Sequence, residues 1–553
     1  MSRPSGLRLV LAMAIGALAI APGVALATIA QERADVVWGQ YNLRSGGFGC
    51  AGPTSHRLCN PASAVIDNQG NLWVADTGNS RVLLFRFNPA INAPATVAKK
   101  SFGQYGKLTT GGCDRQARAG SPYPVPHPAS RYTLCFPSGV AVDGSGDLFV
   151  ADSGNNRVLV YFDAAHKGRA SPADLVLGQP DFFAGAANNV VPGSSGGPRC
   201  PSNRRPFVVQ PAGKGQAHFA VKVRGLVQVG HPTNLLVAIR DRQAHTRVPG
   251  VKVVFNAREV GIHKIRTVTS NSSGYAVFKH FLPKRVGGVH IALSRYPFQP
   301  VTIVLPVQGP ATRCTLGGPE QISVDPQGDL LVADSDNNRV LEWSHSMLAA
   351  FKTRCGKTCF VPASRVWGQG GDFTTAGADQ WPPFHRPAGC VPEPSPAGAC
   401  TLSRPADAVA DPAGNLLVAD SGDNRVLEIP DALGSSRQAA NAVYGQAGSF
   451  TSIAANHGGI GKRALANPRG VSLDPSGNLW IADGNNRVLE FPSGSRSAAL
   501  VLGQHGRFKS NGCNRGGRSG ATLCLPESVR IDAAGNVVVA DELNNRILEY
   551  SAH

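Results

Sequence analysis

An Asp and an Arg recur together along this chain, and both residue types bind ions or form ion pairs. They belong to the pattern Val-Ala-Asp-x-Gly-Asn-Asn-Arg-Val-Leu, of which one copy begins at Val150. Six copies supply Asp76, Asp152, Asp334, Asp420, Asp483 and Asp541 together with Arg81, Arg157, Arg339, Arg425, Arg487 and Arg546. A residue present in every copy serves what the copies share, so we interpret this pair as a structural feature of the turn.

Residues unique to one copy are better candidates for binding. Gln321, Asp407 and Arg530 stand at the third or fifth position of their copies, counted with the opening Pro as the first. Three charged residues lie close to these positions: Glu320, Arg469 and Glu527. One interpretation is a site for a small polar ligand formed by Gln321, Asp407, Arg469 and Arg530. The other is an internal Arg–carboxylate pair, because a buried guanidinium needs a partner.

Catalytic and metal-binding signatures are weak. No nucleophile elbow, phosphate-binding loop or cofactor fingerprint occurs in the sequence. Loops between different copies contain His56, His127, His385, His457 and His505. Lone loop histidines are more common than metal ligands, so we predict no catalytic residue, no metal and no cofactor. Convergence of these histidines on one metal stays open as an alternative.

The elements that position these residues are β-strands. Each copy of the pattern follows a Pro, a stretch of alternating residues and an Asp-x-x-Gly turn, and a later segment ends in Gly-Gln. Six copies of four strands predict an all-β, six-bladed β-propeller. The first Gly-Gln segment, residues 36–40, precedes every copy, whereas the last copy has none after it. We therefore expect residues 36–40 to pair beside residues 547–550 and close the ring.

The Pro, the Asp-x-x-Gly, the Val-Ala-Asp and the Asn-Asn-Arg-Val of the six copies resemble the NHL-repeat family. This resemblance implies a six-bladed propeller. It also implies an alternative function, because some NHL-like propellers are metal-dependent lyases or lactonases with His ligands at the channel mouth. One fold hosts many activities, so the resemblance indicates the fold more strongly than the function.

The 12 cysteines predict disulfides in the loops between blades. Equivalent loop positions predict the pairs Cys50–Cys59, Cys113–Cys135, Cys200–Cys314, Cys390–Cys400 and Cys513–Cys524, and Cys355–Cys359 remain as a sixth pair. Zinc is the competing interpretation, but the spacing of structural zinc sites is absent.

The chain divides into four parts. Residues 1–27 have the basic start, short apolar core and Ala-Leu-Ala end of a secretory signal peptide. Residues 28–205 contain the closing strand and blades 1 and 2, and residues 310–553 contain blades 3 to 6. Residues 206–309 interrupt the repeat with about seven strand-like segments. Residues 250–255 and 273–278 resemble bacterial Ig-like modules, which implies an inserted β-sandwich.

Positive charge is the other clue to function. The formal net charge is +18, and the insert alone holds 14 Lys and Arg against Asp241 and Glu259. Loops on one face of the propeller add further cations, among them Arg115, Arg118, Arg507, Lys509, Arg515 and Arg518. Such a surface attracts polyanions, although simple solvation is the competing explanation. The export signal argues against nucleic acid as the partner.

These observations favour a secreted or extracytoplasmic protein that binds or scaffolds rather than catalyses. The expected partner is a protein, an anionic polysaccharide or another cell-envelope ligand, held by the basic, disulfide-stapled loop face. We expect no transmembrane segment after signal cleavage. The alternative is a metal-dependent lyase, lactonase or other hydrolase with its site at the channel mouth.

Overall fold

The computed structural model describes most of the chain between residues 33 and 552. The ranges outside the description are 47–49, 51, 117–124, 127–128, 180, 184, 186, 188–218, 225–232, 242–250, 257–264, 273–274, 282–286, 296–297, 308–310, 355–360, 374–375, 377, 379–396 and 436–437. The predicted signal peptide, residues 1–27, also lies outside the described residues.

The repeated part folds as an all-β, six-bladed propeller, as the sequence predicts. Each blade is a four-stranded antiparallel sheet. Blades 1 to 3 consist of Ser63–Ile66, Leu72–Asp76, Arg81–Phe85 and Lys100–Phe102; Pro137–Val142, Leu148–Asp152, Arg157–Tyr161 and Leu175–Leu177; and Pro319–Val324, Leu330–Asp334, Arg339–Trp343 and Arg365–Trp367. Blades 4 to 6 consist of Pro405–Ala410, Leu416–Asp420, Arg425–Ile429 and Ala442–Tyr444; Gly470–Leu473, Leu479–Asp483, Arg487–Phe491 and Leu500–Leu502; and Pro526–Ile531, Val537–Asp541, Arg546–Tyr550 and Val36–Trp38.

The first strand of each blade is its innermost strand, and the six inner strands contact one another in a ring. An Asp-x-x-Gly turn joins the inner strand to the second. In blade 1, Asp67 Oδ1 accepts backbone hydrogen bonds from Gln69 and Asn71, both at 2.9 Å. Gly70 adopts a φ of 75°, which a residue without a Cβ tolerates best. The predicted hairpin turn is therefore present.

Apolar side chains fill the spaces between neighbouring blades, and six clusters of buried residues correspond to the six seams. At the seam of blades 6 and 1, Trp38 and Ile547 pack with Leu72 and Phe85. Val36–Trp38, from the start of the chain, pairs antiparallel with the last strand, matching Val37 with Leu548. The fourth strand of blade 6 is thus supplied from the other end of the sequence.

The repeated Asp and Arg form a fully buried ion pair in every blade. The Arg Nε–Asp Oδ2 distances are 2.6, 2.7, 2.7, 2.7, 2.8 and 2.7 Å in blades 1 to 6. In blade 3, Arg339 also donates to the carbonyls of Thr312, Thr315 and Phe373 at 2.9, 2.8 and 2.5 Å. These carbonyls belong to the loops on either side of the blade, so each Arg fixes two loop segments. The structural interpretation of this repeated pair is confirmed.

The residue before the repeated Arg, an Asn in five blades and Ser80 in blade 1, links each blade to the next. Asn545 closes the short turn of blade 6 in the left-handed conformation, with φ 54°. Its Oδ1 accepts a hydrogen bond from the backbone of Asn60, at 2.9 Å, in the loop leading into blade 1. Asn tolerates this conformation better than most residues. The motif therefore serves both the turn and the assembly of blades.

Three predicted disulfides are present: Cys50–Cys59, Cys113–Cys135 and Cys513–Cys524. Cys314 and Cys400 are also disulfide-bonded. Their predicted partners, Cys200 and Cys390, lie outside the described residues, as do Cys355 and Cys359. Such bonds shorten the flexible length of the inter-blade loops and are typical of oxidising compartments.

In the part of the insert that the structure describes, seven strands form two antiparallel sheets. One has three strands, Phe219–Arg224, Thr233–Asp241 and Tyr275–Phe281; the other has four, Arg266–Thr269, Lys252–Asn256, Gly287–Arg295 and Phe298–Val307. Two short strand pairs are Phe87–Asn88 with Ala93–Pro94 and Arg115–Gln116 with Val125–Pro126. The helices His345–Arg354 and Ala432–Ser435 precede the outer strands of blades 3 and 4. Within the described ranges, no helix has the length and apolar character needed to cross a bilayer.

Replacing Arg339 with Ala should lower the free energy of unfolding by about 3–5 kcal/mol, because Asp334 would remain buried without its cation. Urea unfolding followed by circular dichroism measures this change. Arg463→Ala, which removes an exposed Arg, is the control and should change the free energy of unfolding by less than about 0.5 kcal/mol. Equal stability of the two variants would contradict a structural role for the buried pair.

Candidate functional site

The central channel is crossed by a buried pair formed by Asp407 of blade 4 and Arg530 of blade 6. The two side chains make a two-pronged contact, with Nη1–Oδ2 at 2.7 Å and Nη2–Oδ1 at 3.1 Å. Arg530 also donates to the carbonyls of Ile322, Val471 and Val529. The contact therefore joins the inner strands of blades 3, 4, 5 and 6.

Burial dominates the electrostatics of this pair. The Asp407 side chain is fully buried and that of Arg530 is 10% exposed. Burial raises the pKa of Asp407, while the charge of Arg530 and several hydrogen bonds oppose this rise. The backbone N–H groups of Ala408 and Val471 donate to the Asp407 carboxylate, each at 2.9 Å. With its oxygens occupied in this way, Asp407 is a structural partner of Arg530.

Gln321 also links inner strands, in this case those of blades 1, 2 and 3. Its Nε2 donates to the carbonyl of Ala62 in blade 1 at 2.9 Å and to that of Ser138 in blade 2 at 3.0 Å. The side-chain oxygen of Gln321 is buried and makes no hydrogen bond with the described residues. Gln321 therefore ties three inner strands together, and one of its polar atoms faces the interior.

Arg469, the fourth residue of the predicted channel set, has a separate partner. Its Nη1 lies 2.5 Å from Glu527 Oε1. Arg469 and Glu527 stand at the beginning of the inner strands of blades 5 and 6, where the inter-blade loops also end. This end of the channel is called the loop-side mouth below. Arg469 thus belongs to the mouth, whereas Asp407 and Arg530 close the channel further inside.

Three glutamates meet Arg469 at the loop-side mouth: Glu320, Glu527 and Glu542. Burial raises the pKa of Glu320 to about 7, reinforced by the charge of Glu527 and opposed by Arg469. Burial and the neighbouring Glu527 raise the pKa of Glu542 to about 8. Glu542 is also hydrogen-bonded to Glu527. Its Oε1 accepts a longer hydrogen bond, 3.4 Å, from Asn60 Nδ2. Carboxyls that titrate near neutral pH in a cleft are candidates for acid–base chemistry or cation binding.

Glu542 is the mouth residue that the sequence reasoning missed. At its position in the repeat, immediately after the repeated Asp, four other blades carry a hydroxyl residue: Thr77, Ser153, Ser335 and Ser421. The hydroxyls of Thr77, Ser153 and Ser421 donate to the carbonyl of the opening Pro of the next blade, as Thr77 does to Pro137 at 2.7 Å. The replacement of a small hydroxyl side chain by a glutamate at one copy was the available signal.

The candidate residues of the basic loop face whose side chains the structure describes lie in residues 504–525, called the blade 6 loop below. Arg507, Lys509, Arg515 and Arg518 are all exposed there, and the segment contains no Asp or Glu. The Cys513–Cys524 disulfide fixes the loop, and Arg515 Nη1 donates to Ser510 Oγ at 2.8 Å. Arg115 lies in a short strand whose side chains are not described, and Arg118 lies outside the described residues.

Three of the five loop histidines, His56, His457 and His505, are described by the structure, and all three are exposed. His56 contacts Ser55 at 3.1 Å, and His505 contacts the carbonyl of Arg515 at 3.1 Å. His127 and His385 lie outside the described residues. Among the described residues, one group of three potential ligands is close enough to share an ion, Cys113, Asp114 and Cys135. Its two sulfurs are bonded to each other, so neither is a thiolate ligand.

Three segments match the family model for the NHL repeat: residues 58–85, 134–161 and 316–343. Each segment spans the first three strands of blade 1, 2 or 3, including the Asp–Arg pair. The chain carries NHL repeats. The NHL-repeat expectation drawn from the recurring motif is confirmed at these three blades, and the other three blades have the same strand order and ion pair.

Two curated relatives from Drosophila melanogaster match a short part of this chain. Peptidyl-alpha-hydroxyglycine alpha-amidating lyase 1 is 36% identical over 95 residues, which are 16% of this chain and 16% of the lyase. Peptidyl-alpha-hydroxyglycine alpha-amidating lyase 2 is 32% identical over 96 residues, 17% of this chain and 22% of the lyase. The match therefore covers less than a quarter of either relative.

Among solved structures, a streptogramin B lyase aligns with 94% of this chain and 97% of its own, at 9% identity and a TM-score of 0.34.

The raised pKa of Glu542 makes a prediction about stability and pH. Its carboxyl stays protonated in the folded protein up to about pH 8, whereas an unfolded Glu ionises near pH 4.3. The corresponding stabilisation is present at low pH and is lost as pH rises through this window. Glu542→Gln mimics the protonated form, so it should match the wild-type melting temperature at pH 5 and exceed it at pH 8.5.

Differential scanning fluorimetry from pH 5 to pH 9 measures both melting temperatures. A constant difference between the two proteins across this range would contradict the assignment of a high pKa to Glu542.

Proposed function

We propose that this chain is an exported NHL-repeat propeller with a binding or scaffolding role. Its ligand would be a polyanion, such as an acidic polysaccharide or another anionic cell-envelope component, held on the basic loop face. The observation that carries this proposal is the blade 6 loop, where four exposed cations occur without a carboxylate and a disulfide restrains the backbone. A protein partner with an acidic surface would use the same complementarity.

Restraint of the loop favours binding for a physical reason. A flexible loop loses conformational entropy when it is ordered by a ligand, and a preorganised loop loses less. The blade 6 loop is fixed by the Cys513–Cys524 bond and by Arg546, which donates to the carbonyls of Ser519 and Thr522 at 3.1 and 2.8 Å. The exposed cations therefore stand on a backbone that is held at several points.

Export is the second part of the proposal. It rests on the sequence of residues 1–27 and on the disulfides, which persist in oxidising compartments. We propose that the two sheets of the insert pack as an Ig-like β-sandwich, and that the pairing of Val36–Trp38 closes the ring. The insert would add to the positive surface, since it holds 14 cations and two acidic residues.

Binding to an immobilised polyanion tests this function. The full chain should bind polygalacturonate and dextran sulfate, and its affinity should fall with salt as the Debye length shrinks from about 10 Å at 0.1 M to about 3 Å at 1 M. The Arg507→Gln, Lys509→Gln, Arg515→Gln, Arg518→Gln variant should bind at least about tenfold more weakly, as expected when steering charges are removed. Surface plasmon resonance measures both effects.

The matched control keeps the charge of the same loop. Arg507→Lys, Arg515→Lys, Arg518→Lys should retain most of the affinity if long-range attraction dominates. Binding of the neutralised variant at wild-type strength, or absence of binding by the wild-type chain, would refute the polyanion proposal.

A second candidate is a metal-dependent lyase or hydrolase acting at the loop-side mouth. It is favoured by Glu320 and Glu542, whose raised pKa values suit acid–base chemistry beside Glu527; the three carboxylates are not close enough together in this structure to share one ion. The short stretch of identity with the amidating lyases points in the same direction. In this case the raised pKa values would let one carboxyl donate and another accept a proton near neutral pH.

Turnover of a peptidyl-alpha-hydroxyglycine, measured with added Zn²⁺, Ca²⁺ or Mn²⁺ and with a chelator, tests the second candidate. Glu527→Gln should reduce kcat by at least about a hundredfold if this carboxylate takes part in proton transfer. Glu490→Gln, which alters a half-buried carboxylate on the third strand of blade 5, should leave turnover unchanged. Absence of metal-dependent turnover in the wild-type chain would reject this lyase activity.

A further inference from the structure

A pocket lies at the seam where the outer strand of blade 6 meets the loop leading into blade 1. It has a volume of about 650 Å³, within the range of about 300–1,000 Å³ that small-ligand sites occupy. Blade 6 contributes its closing strand and the segment after it, and blade 1 contributes residues from two loops. Its lining includes Tyr41, Gly46, His56 and Arg57.

At the next seam of the propeller, two stacked tyrosine rings occupy the position that corresponds to this pocket. Between blades 1 and 2, Tyr105 follows the Gly-Gln of the outer strand and stacks on Tyr132, with ring centroids 5.2 Å apart and planes 9° apart. Tyr41 follows Gly-Gln in the same way, and His56 holds the repeat position of Tyr132. Tyr41 is nevertheless 83% exposed. Its ring faces solvent beside the pocket, where the equivalent ring of the next seam is covered.

An exposed aromatic ring at the edge of a concave site is a surface for stacking. Tyr offers a large, rigid and amphipathic contact area, and its hydroxyl can reach water or a ligand oxygen. The C–H face of a sugar ring and the face of a planar group are the partners that fit such a surface.

The charged groups at this seam favour an anion. Arg57 and His56 are exposed and line the pocket, and no acidic residue is among the lining residues. The guanidinium of Arg518 packs against Gly46 so closely that a Cβ at Gly46 would clash with Nη1. The blade 6 loop therefore reaches the rim of the pocket, and its other cations extend the positive surface away from the pocket.

We propose that this seam pocket binds one acidic sugar unit of an anionic polysaccharide, with the sugar ring on Tyr41 and its carboxylate on Arg57. This proposal rests on the proposed polyanion-binding function and names the ligand class. A chain of uronate units fits both features, because one unit enters the pocket while later carboxylates follow the cations of the blade 6 loop. A lone small anion would leave the ring of Tyr41 without a role.

Isothermal titration calorimetry of the full chain with tetragalacturonate tests the proposal. Tyr41→Ala should weaken binding by about fivefold to tenfold, the range expected when an aromatic contact is lost. Arg57→Gln should weaken binding by at least about fivefold, as for loss of a charge-assisted hydrogen bond. Dextran sulfate, which carries charge without uronate carboxylates, should be affected by Tyr41→Ala by less than about twofold.

Two variants serve as controls for the loss of an exposed ring and an exposed charge elsewhere. Phe183 is 51% exposed in the loop that follows blade 2, and Arg463 is exposed in the loop leading into blade 5. Phe183→Ala and Arg463→Gln should each change tetragalacturonate affinity by less than about twofold.

The outcomes separate this inference from the proposed function. If the wild-type chain binds tetragalacturonate and both pocket variants bind it equally well, the pocket is not the sugar site, while polyanion binding stands. If Tyr41→Ala weakens dextran sulfate as much as tetragalacturonate, specificity for a uronate is wrong. If the wild-type chain binds neither polymer, the proposed function fails and the pocket inference fails with it.

Discussion

The buried Asp–Arg pair of each blade is the interaction on which the rest of this structure depends. A guanidinium enclosed by protein is costly unless its donors are satisfied, and one carboxylate cannot satisfy all of them. In blade 2, Arg157 completes its set with the carbonyls of Ser130, Thr133 and Phe182, at 3.0, 3.0 and 2.5 Å. The need to satisfy one buried cation therefore dictates the path of two loops, whatever side chains those loops expose.

This arrangement separates the fold from the surface. The loops meet the Arg through backbone carbonyls, which every residue type has, so the exposed side chains are free to differ between blades. The blade 6 loop accordingly carries four cations, whereas the loop before blade 1 places Arg57 and His56 beside a pocket. The side chains of these loops can differ between blades at little cost in folding free energy, because the buried Arg is bound by main-chain carbonyls.

The fold could be predicted from the sequence because its determinants are local and repeated six times. The pairing of Asp407 with Arg530 was one of two interpretations, and it followed from the cost of burying Arg530 alone. The partner of Arg469 was harder to predict, since the second and third positions of an inner strand differ by only one residue but lie at different depths in the channel. Glu542 could not be placed, because its contact with Glu527 depends on how the turn and inner strand of one blade meet at the mouth.

The two helices were also missed. His345–Arg354 and Ala432–Ser435 replace part of an extended connection in only two blades, so repetition offers no guide to them. The disulfides were predicted where equivalent loops carry two cysteines, and three of these pairs are present. Comparing the six copies of the repeat thus predicts the features that the blades share, but it does not predict features found in one or two blades.

Around the loop-side mouth, acidic residues lie close to the channel axis and basic residues lie farther out. Close to the axis, Glu320, Glu527 and Glu542 outnumber Arg469, and burial, reinforced by the charge of Glu527, raises the pKa values of Glu320 and Glu542. Farther out, the blade 6 loop is wholly cationic at neutral pH. At neutral pH a polyanion would therefore be attracted to the outer loops, and a cation would be drawn to the axis as Glu320 and Glu542 ionise at higher pH. The Asp407–Arg530 contact crosses the channel behind the mouth, so the acidic cluster and the cationic loop lie at the same end of the propeller.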